Sequence, residues 1–125
     1  MSGIDILIDT NICIYLLNGD LILGDLVQDQ TIYISVITEM ELHAYAGNNV
    51  DSLIALDNFV QLVNIINFDD NIKKATIAIR KEFKLKLPDS IIAASAITHK
   101  MFFITSDKAF KSVTGLDLFL NDFSE

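Results

Sequence analysis

Two spacings of apolar residues alternate along this chain. Short runs rich in Ile, Leu, Val, Phe and Tyr occur at residues 4–9, 31–36, 63–67, 101–105 and 116–120. They are apolar at successive positions, as strands covered on both faces are, and each is bounded by polar or turn-forming residues. Between them lie stretches with helical spacing. One covers residues 11–18 and is stopped by Gly19, and another runs from 38 to 46 and is stopped by Gly47. A third covers 51–60, a fourth runs from a cap at Asp69 or Asp70 to about Lys84, and a fifth opens at Pro88 and continues to His99. Residues 107–111 make a helical turn before the last strand. Strands that alternate with helices predict an α/β fold, a three-layer α/β/α sandwich with a central parallel sheet. At 125 residues the chain accommodates one domain, residues 1–125, with no linker or repeat to divide it.

In open α/β sheets, ligands bind beyond the carboxyl ends of the strands, and four acids fall there. Asp9 follows the first strand, and Asp107 lies just past the strand ending at Thr105. Glu41 is expected in the first turn of the helix after the second strand, and Asp89 in the first turn of the helix opened by Pro88. Each has an ordinary structural role open to it. Asp9 suits a helix N-cap, Asp89 suits a helix dipole, and Asp107 suits a turn. Thr38 and Glu41 have the spacing of a capping box. Glu39 competes with Glu41, but two residues on a helix are about 200° apart, so only one can face a cleft. Four carboxylates that converge must protonate or bind a cation. Their oxygens suit Mg²⁺ or Mn²⁺, which activate water for phosphodiester cleavage. No His or Cys cluster has zinc spacing, and His43 and His99 read as structural or surface residues.

Charge adds a condition. The net charge is −8, which argues against indiscriminate nucleic-acid binding. Yet residues 1–72 hold eleven acids and no Lys or Arg, whereas residues 73–111 hold all nine basic residues against three acids. On the helix leading to Asp89, Lys73, Lys74, Arg80, Lys81 and Lys84 fall within an arc of about 120°, with Ile77 inside it. That arc is either a solvated face or a track for phosphates. The hydrophobic fraction is 51% and the mean hydropathy +0.42, so apolar surface is expected to remain for a partner. No apolar run reaches the roughly 18 residues of a membrane span. With one cysteine, Cys13, and no basic leader at the start, the expectation is a cytoplasmic protein without disulfides.

Four segments, in order, carry a family resemblance: Ile8-Asp9-Thr10-Asn11, Ile37-Thr38-Glu39-Met40-Glu41-Leu42, Leu87-Pro88-Asp89-Ser90-Ile91-Ile92-Ala93-Ala94, and Ile104-Thr105-Ser106-Asp107-Lys108-Ala109-Phe110. Together they resemble the PIN domains, in particular the VapC-like toxins of toxin–antitoxin pairs. The stretch from Glu41 to Gly47 departs from the pattern, since the family often has its glycine nearer the Glu. The resemblance implies a PIN-like sandwich and a metal-dependent endoribonuclease acting on single-stranded RNA. It implies Mg²⁺ (or Mn²⁺) held by Asp9, Asp89 and Asp107, with Glu41 completing an acidic quartet. Asn11, Thr105 and Ser106 would support the metal or phosphate, and Lys84 and Lys108 are the candidate basic contacts to RNA. A homodimer and a small cognate antitoxin are the implied partners. Two other functions fit an α/β chain with strand-end acids. One is a non-catalytic binding module of the same fold. The other is a phosphoryl-accepting signalling domain using Asp69 or Asp70, although Asp9 then lacks a neighbouring acid.

Overall fold

The computed structural model describes residues 3–121; Met1, Ser2 and the acids Asp122 and Glu125 lie outside them. Five parallel strands form one sheet in the order β3-β2-β1-β4-β5. They are β1 (Asp5–Ile8), β2 (Thr31–Ser35), β3 (Asn64–Ile66), β4 (Phe102–Thr105) and β5 (Leu118–Leu120). The helices are α1 (Thr10–Leu17), α2 (Leu21–Val27), α3 (Val36–Ala46), α4 (Val50–Leu62), α5 (Asp70–Glu82) and α6 (Leu87–His99), with a 3₁₀ turn over Lys108–Ser112. This is the expected three-layer α/β/α sandwich.

The strand pleat sorts side chains between two cores. Leu7, Phe103 and Leu118 point to the side packed by α5 and α6, while Ile6, Ile8, Ile34 and Ile104 point to the side packed by α1 to α4. The run Ala93-Ala94-Ser95-Ala96 is fully buried, and such small side chains let α6 approach the sheet closely. Phe103 and Phe110 meet edge-on at 4.9 Å in the same core.

Three local features differ from expectation. Helix α2 has no counterpart among the expected elements, because Leu21-Ile22-Leu23-Gly24 has no helical periodicity and carries a glycine at its centre. Its signal is Asp20, whose carboxylate accepts from Leu23 N at 2.9 Å. Only Leu23 of that run is buried, and Leu21 and Ile22 stand 82% and 78% exposed. Helix α3 starts at Val36 with Ser35 as its N-cap, so the Thr38–Glu41 capping box does not form and Glu41 lies in the second turn. Helix α5 ends at Glu82, which takes Lys84 off the basic arc. Among the described residues no single helix is long and apolar enough to cross a membrane, and α1 and α2 are bent 114° from each other.

Candidate active site

The strand order reverses direction between β1 and β4, and in open α/β sheets that switch point opens a crevice at the carboxyl edge. Asp9 leaves β1 as the N-cap of α1, with its Oδ1 accepting from Ile12 N at 3.0 Å. Its Oδ2 accepts from the Thr105 hydroxyl at the end of β4. Thr105 Oγ1 also accepts from Asp107 N at 3.0 Å, so one hydroxyl joins two of the acids. Asp107 caps the 3₁₀ turn through a bond from Ala109 N at 2.9 Å. Asp89 sits in the first turn of α6, where Pro88 occupies a position that needs no N–H bond. Capping and cleft-facing are thus compatible for Asp9 and Asp107.

These elements enclose a cavity of about 270 Å³. Asp9, Glu41, Asp89 and Asp107 all line it, with Thr10, Asn11 and Tyr45, over a floor that includes Ile14, Ile92 and Phe110. Glu41 is held by the Thr10 hydroxyl, and Thr38 Oγ1 lies 3.2 Å from that same oxygen. Since Thr10 has one proton and a carboxylate only accepts, the relay runs from Thr38 to Thr10 to Glu41. Glu39 is not part of the wall.

The charges are poorly compensated. Asp9 is 5% exposed. Burial pushes its carboxyl up to about 6; the bonds from Thr105 and Ile12 oppose the rise, and Asp107 and Asp89 add to it. Asp89 is raised by burial and by Asp107 and Glu41, against the lowering effect of Lys86. Cys13, on the buried face of α1, is held as a thiol by burial and by Asp9. Every charged donor is an oxygen, which suits a hard divalent cation. Among the described residues no three acidic, His or Cys side chains close on a single point. The carboxylates line an open cavity that leaves room for water beside an ion.

The remaining expected residues divide. Asn11 reaches the cavity wall. Thr105 does not: it is 0% exposed, and its hydroxyl is bonded to Asp9 and Asp107 behind the wall. Ser106, Lys84 and Lys108 do not line the cavity either. Lys84 follows the end of α5 and Lys108 opens the 3₁₀ turn, both exposed. Asp69 caps α5 and Asp70 pairs with Lys73 at 3.6 Å, so neither acid needed by a signalling domain joins the cleft. His43 and His99 are exposed and outside it. Thr10 and Tyr45 join the site without having been given a role by the sequence reading. Their signals are adjacency to Asp9 and a spacing of four from Glu41, which places Tyr45 on the same helix face.

The PIN domain family model matches residues 6–116. A toxin–antitoxin complex from Klebsiella pneumoniae contains a chain 34% identical to this one, covering 88% of this chain and 93% of that chain with a TM-score of 0.78. The structure of VapBC2 from Rickettsia felis, bound to a DNA fragment from their promoter, is similar at 26% identity, 94% and 99% coverage and a TM-score of 0.83. DNA-bound VapBC from Salmonella typhimurium, at 23% identity, 95% and 98% coverage and a TM-score of 0.81, shares the fold. No curated protein matches by sequence.

Proposed function

The chain belongs to the PIN domain family, whose members are nucleases, and from that premise we propose that it is a metal-dependent endoribonuclease for single-stranded RNA, the toxin of a toxin–antitoxin pair. The observation that carries the reading is one cleft at the sheet's switch point walled by Asp9, Glu41, Asp89 and Asp107. Similarity to the Klebsiella toxin–antitoxin complex and to VapBC2 supports the toxin assignment and a small antitoxin as partner. A homodimer fits the exposed apolar residues such as Leu21 and Ile22.

Asp9, Asp89 and Asp107 would hold Mg²⁺ or Mn²⁺ through their carboxylate oxygens. When bound, such an ion lowers the pKa of water and offsets the charge that develops on the phosphate. Glu41, steadied by Thr10, orients the attacking water or holds a second ion. Thr105 keeps the Asp9 carboxylate turned into the cleft. Water attacks phosphorus in line and the bond to O3′ breaks, leaving a 5′-phosphate and a 3′-hydroxyl.

The test is cleavage of an RNA with single-stranded loops in Mg²⁺ or Mn²⁺, against EDTA and against Asp9→Asn. Both controls should abolish cleavage. Cleavage that survives both, or a 2′,3′-cyclic phosphate product, overturns the mechanism. Metal binding without cleavage of any RNA would favour a non-catalytic binding module.

A further inference from the structure

The cleft that would receive RNA has four carboxylates in its wall and no Lys or Arg among the residues lining it. Cationic phosphate contacts, the usual source of nucleic-acid affinity, are therefore not available there from side chains. Part of the binding must come from uncharged contacts, and one side chain in the wall is suited to supply it. Tyr45 lies one helical turn after Glu41 on α3, and residues so spaced share a face. It is 66% exposed, so its ring is open to a ligand. The other aromatic in the wall, Phe110, is 1% exposed and already packed edge-on against Phe103. Tyr45 also borders a second cavity of about 130 Å³, walled by Leu17, Leu42, Ala46 and Leu56 with Asn18 and Ser52 among its lining. Tyr45 thus borders both an acidic cleft and an apolar recess that carries amide and hydroxyl groups.

We propose that Tyr45 is the stacking platform for a nucleobase flanking the scissile phosphate, with the apolar recess as that base's subsite. The proposal rests on the nuclease reading of the cleft, and it names the substrate as unpaired nucleic acid, because a base held in a duplex cannot turn its face to the ring. Aromatic rings bind any base through its π-face, so the subsite selects single strands more than sequence. Asn18 and Ser52 supply the groups through which a base edge could be discriminated.

The experiment measures equilibrium binding of a short single-stranded RNA, with and without abasic nucleotides, in the cleavage-blocked Asp9→Asn background. Tyr45→Ala should weaken binding about tenfold and Tyr45→Phe by less than about twofold, since the ring and not its hydroxyl does the stacking. An abasic nucleotide at the flanking position should erase the difference between Tyr45 and Ala. Equal affinity for all three proteins would overturn the proposal. A weaker affinity of Tyr45→Ala that persists on the abasic RNA would overturn it too, by showing a general change in α3. Tyr45-dependent binding, in a protein whose unmutated form cleaves no RNA, would instead sink the nuclease reading and leave the stacking contact standing.

Discussion

At the scale of residues, Asp9 is the most strongly raised carboxylate of the cleft. Its carboxyl is raised from 3.8 to about 6, so the folded protein binds this proton more tightly than the unfolded chain does. The resulting stability is fully present below about pH 4 and is lost as pH rises through 6, to a total of about 3 kcal/mol at most. Asp9→Asn keeps the capping oxygen and removes the charge. It should therefore raise the melting temperature of the metal-free protein at pH 7.5 and leave it nearly unchanged at pH 4. An equal shift at both pH values would mean that charge is not the cause. A divalent ion should stabilise the native protein by mass action, with weaker affinity below pH 6, and Asp9→Asn should remove most of that gain. Thr105 offers a second test. Thr105→Val leaves Asp9 Oδ2 without its donor and Asp107 N without its acceptor, at a cost of about 1–3 kcal/mol by denaturant unfolding. Thr105→Ser should recover most of it. Failure of serine to do so would put the effect down to packing.

At the scale of elements, the site depends on where helices start. Ser35, not Thr38, caps α3, and that shift releases Glu41 from a capping box and turns it into the cleft. The competing sequence reading was reasonable, because Ser35 and Thr38 are both capping residues and only the strand's end decides between them. Asp9 and Asp107 were legible because each closely follows an apolar strand run. Helix α2 was not legible, since its apolar residues are largely exposed and hence show no periodicity against a core. Its Gly24 has nothing within 4 Å of where a Cβ would sit and shows no positive φ. Gly24→Ala should thus stabilise the protein by about 0.5–1 kcal/mol in denaturant unfolding, by favouring helix over the unfolded chain. A decrease in stability would show that α2 packs more tightly than this open space indicates.

At the scale of the whole molecule, charge is segregated. The basic residues are confined to 73–111, yet the cleft itself holds none of them, and Lys86 is the cation that bears on Asp89. The exposed lysines of α5 surround Ile77, which is 50% exposed and packs into neither core. If this face tracks RNA backbone, changing Lys73, Lys74 and Lys81 together to Gln should make the salt dependence of RNA binding shallower. The slope should fall by about 0.7 log units per log unit of salt for each phosphate no longer neutralised. An unchanged slope would identify a merely solvated face and leave binding to metal and stacking.

Sequence alone determined the layer order and the parallel sheet, because periodicity reports burial directly and alternating strands and helices have few ways to pack. It also placed Asp9, Asp89 and Asp107 at strand or helix ends, since those ends are marked by breaks in the apolar pattern. Only the tertiary structure decided that these three and Glu41 share one cavity, that Thr105 is a buried brace where a ligand had been expected, and that Thr10 and Tyr45 complete the wall. Those facts depend on strand order. The crevice exists because β4 lies beside β1, and a pairing between segments about a hundred residues apart leaves no local trace in the chain.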